Sequence, residues 1–123
     1  MLALGLTVYL AGSPASGQEP VTYTRTIAPI LFEHCVPCHR PGGHAPFSLL
    51  EYDAARERAA LIAALTGSRV MPPWKPDAPV GAFQGERRLT AAQIDLIARW
   101  ATAGAPEGPP TARPVPPEVL SSC

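Results

Sequence analysis

No part of this sequence is apolar for long enough to cross a bilayer. The longest such run, Leu2 to Gly12, covers eleven residues, whereas a spanning helix needs roughly twenty. Charge of one sign is missing too. Ten basic side chains cancel ten acidic ones, and there is neither the basic stripe of a nucleic-acid binder nor an acidic tail. Nothing alternates polar and apolar residues with a period of two for long enough to make a half-buried strand, and no internal repeat is visible. These absences argue against a stable membrane span, a nucleic-acid partner and a sheet-based fold.

Proline and glycine, by contrast, are abundant: sixteen and ten in 123 residues. They crowd into 35–46, 67–85 and 104–117, so helices must fit between long loops. A chain this short is one small domain, and small domains are often helped by a metal, a disulfide or a prosthetic group. The first seventeen residues, MLALGLTVYLAGSPASG, carry no charge. The apolar run is followed by small residues, and Ala15-Ser16-Gly17 has the small-x-small pattern of a signal-peptidase site. The positive start usual in such segments is missing. Residues 1–17 are nevertheless expected to be a signal peptide, with a mature chain from about Gln18 that is periplasmic or otherwise exported.

Three helices are predicted. The first spans Ile27 to Cys35, with Thr24 or Thr26 as cap and Pro29 in the first turn, where its missing N–H is not needed. Ile27, Ile30, Leu31 and His34 share one side, with Ala28 and Phe32 beside them, and Pro37 stops the helix. The second lies between Ser48 and Gly67. Ser48-Leu-Leu-Glu51 reads as a capping box, with Asp53 as cap of a later start. Ala55, Ala59, Ile62 and Ala63 form its apolar side, Arg56, Glu57 and Arg58 its wet side, and Gly67 its C-terminal cap. The third follows a second capping box, Thr90-Ala-Ala-Gln93. Ile94, Ile97, Ala98 and Ala101 form its stripe with Leu96 and Trp100 flanking; Gly104 ends it and Pro106 prevents continuation. The proline-rich stretch 107–123 is expected to be an extended or disordered tail or linker.

Chemistry concentrates in CVPCH, residues 35–39. Zinc would need a second close pair of ligands, and no second C-x-x-C or H-x-x-x-H exists; Cys123 stands alone. A thioredoxin-like dithiol would need a preceding strand and a parallel sheet. A plain Cys35–Cys38 disulfide leaves His39 idle. Attachment of a haem uses all three residues. Two thiols at i and i+3 can form thioethers with the two vinyl groups of one porphyrin, and His39 then lies beneath the iron as proximal ligand. An electron carrier also needs a distal ligand, and the sequence has only two methionines. One is Met1. The other, Met71 in RVMPPW, precedes Pro72, which pushes it out of the α region, while the Pro-Pro pair stiffens the chain beyond it. Core filling is the bland reading of a lone methionine; this setting favours a distal iron ligand.

CVPCHRPGG, VMPPW and GAFQGERRLTAAQIDLIARWATAGAP together resemble the single-haem c-type cytochrome domains of exported bacterial redox proteins, over about Val21 to Gly108. The resemblance implies an all-α, cytochrome c-like fold, with three short helices and long Pro/Gly-rich loops wrapped around one covalently bound haem c. It implies that the Ile27–Cys35 helix crosses the Thr90–Ala103 helix near one haem edge, with Trp100 packed there, and that His39 and Met71 ligate iron. The domain would occupy 18–106. Arg69, Trp74, Lys75, Arg87 and Arg88, near Met71 in the sequence, are candidate partners for the haem propionates, since buried carboxylates need pairing. The carbonyl of Pro41 or Pro46 is expected to accept the second ring N–H of His39. His34 and His44 are assigned structural or exposed roles. The expected function is one-electron transfer between redox partner proteins in the cell envelope, without catalysis. Two alternatives stay open: a peroxide- or gas-binding haem enzyme or sensor if Met71 does not ligate, and an electron-relay module that docks a larger oxidoreductase.

Overall fold

The computed structural model describes residues 17–118. The expected signal peptide, Gly17 apart, and Cys123 lie outside them. Among the described residues the chain is all helix and loop, with α1 Ala28–His34, α2 Tyr52–Glu57, α3 Ala59–Gly67 and α4 Ala91–Thr102. A π-helical turn, Tyr23–Ile27, leads into α1, and a 3-10 turn, Pro110–Ala112, lies near the C-terminal end. No helix among the described residues is long and apolar enough to cross a membrane.

The first and last helices follow the sequence closely. Pro29 sits in the first turn of α1 and Cys35 caps its end. Neither Thr24 nor Thr26 caps it, however, because the π-helical turn starts upstream, after Thr22. Thr90 and Gln93 form the expected reciprocal box at the start of α4: the Gln93 N–H donates to Thr90 Oγ1 at 3.1 Å and the Thr90 N–H to Gln93 Oε1 at 2.8 Å. Gly104, at φ +87°, takes the left-handed conformation that ends a helix without steric cost. The buried line of α4 is Ile97 and Trp100; Ala98, expected in the stripe, is exposed.

The predicted second helix is two. Arg58, at φ −110° and ψ 11°, closes α2 and opens α3. The Ser48 box does not form. Helix α2 begins after Glu51 without a side-chain cap, and Ser48 Oγ instead accepts from the nearby Leu50 N–H at 3.2 Å, the local bonding by which serine competes with helix. Gly67 is the last residue of α3, not a left-handed cap. Two residues on, Arg69 takes that conformation, at φ +59°.

One core joins these pieces. Tyr23, Ile27, Leu31, Ile97 and Trp100 are fully buried. Helix α4 lies mainly on α3 and meets the N-terminal segment chiefly through the π-helical turn that leads into α1, with one side-chain bond to α1 itself, from Gln93 to His34. The segment after α4 closes this side, and the stretch expected as a loose tail from 107 is tied down as far as Arg113. The Tyr23 and Thr24 N–H groups donate to the carbonyls of Pro106 and Glu107 at 2.9 Å. Tyr52 donates to the Ala105 carbonyl at 2.9 Å, and Trp100 Nε1 to Pro106 at 3.0 Å. Arg113 donates to the Leu50 carbonyl at 3.0 Å and pairs with Glu51 at 2.9 Å. Gly108 passes so close that an added Cβ would stand 2.5 Å from Thr22 Oγ1. Extended chain with these anchors is not a free linker.

Candidate functional site

The C-x-x-C-H segment is a tight turn off the end of α1. The Cys35 and Val36 N–H groups still donate to Leu31, and those of Cys38 and His39 both return to the Cys35 carbonyl, at 3.1 and 2.8 Å. Val36 is buried in the core, so it fixes the turn while Cys35, Cys38 and His39 line the same cleft. The chain then doubles back. Ala45 N–H donates to the Cys38 carbonyl and Leu49 N–H to that of His39. Gly43 is required here, because a Cβ would come within 2.3 Å of the Cys38 carbonyl oxygen.

This return brings Phe47 to His39. His39 Nδ1 lies 3.1 Å from the Phe47 carbonyl, and the two ring centroids are 4.6 Å apart. The expected acceptor was a proline carbonyl, Pro41 or Pro46; the acceptor is the next residue after Pro46, because it is the end of the loop that reaches the ring. With Nδ1–H donated to a carbonyl, the lone pair of His39 sits on Nε2, the arrangement usual in metal-ligating histidines.

Met71 arrives from the other end of α3. The left-handed Arg69 turns the chain so that the Val70 and Met71 N–H groups both donate to the Leu65 carbonyl, at 3.0 and 3.1 Å. The thioether-bearing residue is thereby fastened to the last turn of a helix. Three contiguous hollows meet at Met71. The largest, about 320 Å³, is lined by Cys35, Cys38, His39, Met71, Pro72 and Arg87, among others. The second, about 150 Å³, is almost wholly apolar and adds Phe47, Leu49, Leu61, Ile62 and Leu65. The third, about 240 Å³, is more polar and holds Arg69, Trp74, Lys75, Arg88 and Asp77. Their size and lining suit an organic ligand of several hundred Å³.

Among the candidate propionate partners, Trp74 is distinctive. Its Nε1 is buried without a hydrogen-bond partner, a costly state for a donor, and the residue lines the polar hollow. Arg69 donates to the Leu89 carbonyl at 3.3 Å and Lys75 is exposed. Arg88 is engaged by Glu86 and by the Pro79 carbonyl. Arg87 stands apart from that hollow, its Nη1 4.0 Å from Cys38 Sγ. His34 is tied to Gln93 at 3.2 Å, a bond between α1 and α4, while His44 is exposed; both line the largest hollow.

Other chemistries fare worse. Among the described residues no group of three or more His, Cys, Asp and Glu side chains is arranged to hold a metal ion by itself. Cys35 and Cys38 are free thiols, and burial, with a smaller effect of Cys38, pushes the Cys35 thiol up to about 12. Redox dithiols need the opposite displacement, and among the described residues no strand precedes the motif. Leu61, Leu65 and Phe47 belong to no motif that the sequence displays, and Leu49 figures there only inside the expected Ser48 capping box. A signal for the two leucines is nevertheless present: AALIAALTG is apolar all round, which requires partners on both sides of a helix. Helix α4 covers one side, and Leu61 and Leu65 face the cleft from the other. Comparisons with protein-family models, curated proteins and solved structures return no match.

Proposed function

We propose that this chain is a single-haem c-type cytochrome domain that transfers one electron at a time between redox partner proteins in the cell envelope, after export. One observation carries the reading: both thiols of a C-x-x-C-H turn, an imidazole with Nδ1 engaged and the thioether of Met71 line one cleft of about 320 Å³. Zinc and dithiol chemistry leave part of that set unused. The donor set fits the group. Cys35 and Cys38 would hold the porphyrin through thioethers, and His39 and Met71 would ligate its iron. Trp74 Nε1, an unpartnered donor, with Arg69 and Lys75 beside it, would meet the propionates. When bound, such a haem supplies a one-electron couple whose potential a methionine ligand raises relative to two histidines.

The chain's own residues then hold and insulate. The Phe47 carbonyl fixes the His39 tautomer and its orientation. The Leu65 carbonyl holds the Met71 backbone, and Leu49, Leu61, Ile62 and Leu65 exclude water from one wall. If His39 and Met71 both ligate the iron, no position would be left for a substrate, and the domain would act as a carrier rather than an enzyme.

Met71 is 36% exposed, and this favours one alternative, a sensor or enzyme in which an external ligand displaces its thioether. The spectrum of the oxidised protein separates the two. A near-infrared charge-transfer band from a methionine–iron bond is expected; a high-spin spectrum that responds to cyanide without delay would replace the carrier by the open-site reading.

A further inference from the structure

The break between α2 and α3 does more than turn the chain. Arg58, at the break, has its guanidinium carbon 4.6 Å from the centroid of the Phe47 ring, well within the range of a cation–π contact. Phe47 in turn holds His39 twice, by its ring at 4.6 Å between centroids and by its carbonyl at 3.1 Å from Nδ1. Arg58 is itself held: Nη1 donates to the Ala54 carbonyl at 3.1 Å and lies 3.4 Å from a Glu57 carboxylate oxygen. About two thirds of its side chain is covered, whereas Glu57 is mostly exposed. The positive charge therefore lies at the inner end of the pair, on the aromatic ring, and its counter-charge is turned to water, where it is screened.

We propose that Arg58 is a positioning residue for His39, acting through Phe47, and that its charge raises the reduction potential of the site. The inference rests on the haem reading above and deepens it. The physical argument has two parts. A cation close to a redox centre disfavours the oxidised form, which carries one more positive charge. A guanidinium over the Phe47 ring also restricts where that ring, and hence its carbonyl, can sit, and the carbonyl sets the basicity of the imidazole. An ordinary surface arginine at a helix break would do neither.

The test uses the full-length protein matured with covalent haem, in the wild type and in Arg58→Met and Arg58→Lys. Methionine keeps length and contact with the ring but loses the charge; lysine keeps the charge. Potentiometric titration should give a lower midpoint potential for Arg58→Met and a value near wild type for Arg58→Lys. The proton resonance of His39 Nδ1–H should move in the first and return in the second. A third variant, Phe47→Leu, removes the ring that links Arg58 to His39 while keeping the backbone carbonyl, and in that background Arg58→Met should shift the potential by less than it does alone. Equal potentials in wild type and Arg58→Met overturn the proposal, as do equal shifts in the methionine and lysine variants, which indicate packing alone. Wild-type protein that carries no haem would sink the cytochrome reading itself, and is recognised before any titration begins.

Discussion

The two tryptophans sit in opposite circumstances. Trp100 is fully buried, its N–H donates to Pro106, and its ring lies 6.3 Å from that of Tyr23. Trp74 also has a buried N–H, but no acceptor for it, and its ring meets edge-on that of Phe83, a residue that is 47% exposed, with centroids 6.0 Å apart. The contrast holds for their surroundings. Around Trp100 the apolar faces of α4, the π-helical turn and 105–113 meet one another. Around Met71, apolar side chains of α3 and of the loops face a cleft. The first region is completed by the chain. The second offers a mostly apolar wall, two thiols, an imidazole, a thioether and a spare N–H donor, the groups that the proposed haem would use.

Mutations on the two sides should therefore separate into different observables. Met71→Ala has the largest expected effect on the cleft side: complete loss of the near-infrared band and a fall in potential, with the covalent haem retained and the helical circular dichroism unchanged. Trp100→Ala should behave oppositely. It removes a fully buried indole and leaves the Pro106 carbonyl without that donor, which costs about 3–5 kcal/mol, read by denaturant unfolding while the covalent haem stays attached. If Trp100→Ala abolished the band and left unfolding unchanged, the division into two regions would be wrong.

Smaller effects sharpen the division. Arg113→Ala removes the bonds to Leu50 and Glu51; the Glu51 pair is largely solvated and adds little. A loss of about 1 kcal/mol is expected, with the potential unchanged. The smallest effect is a pH dependence. Burial raises the pKa of Tyr23, with Arg113 opposing and Glu51 assisting. The folded state thus keeps the phenol protonated where the unfolded chain, with its ordinary value near 10, has lost the proton. Stability from this group is intact below pH ~10 and falls as pH rises through the folded-state pKa. Tyr23→Phe should flatten that alkaline decline, measured by unfolding at a series of pH values, while forfeiting the bond to the Leu50 carbonyl.

How much of this was legible in the sequence depended on how local the cause was. Helix α4 was readable because its box, its apolar residues and its stop at Gly104 and Pro106 all lie within a few residues. The C-x-x-C-H turn and the residue type of Met71 were readable for the same reason. The break at Arg58 was not, because Arg56-Glu57-Arg58 is as compatible with a continuous helix as with two; Arg58 is instead placed over Phe47, a residue eleven positions earlier. The partner of His39 was missed by one residue, since loop closure through Gly43 and Leu49 decides which carbonyl arrives. The anchoring of 105–113 was hidden too. Proline-rich composition favours extended chain, but says nothing of the backbone donors on Tyr23 and Thr24 that hold it.

The most direct test of the central claim is the intact mass of protein matured in a host with c-type cytochrome assembly, before and after acidic acetone extraction. A mass equal to the mature polypeptide plus one haem, unchanged by extraction and reduced to bare polypeptide in Cys35→Ala/Cys38→Ala, is the predicted result. Bare wild-type polypeptide, or pigment that acetone removes, would contradict it.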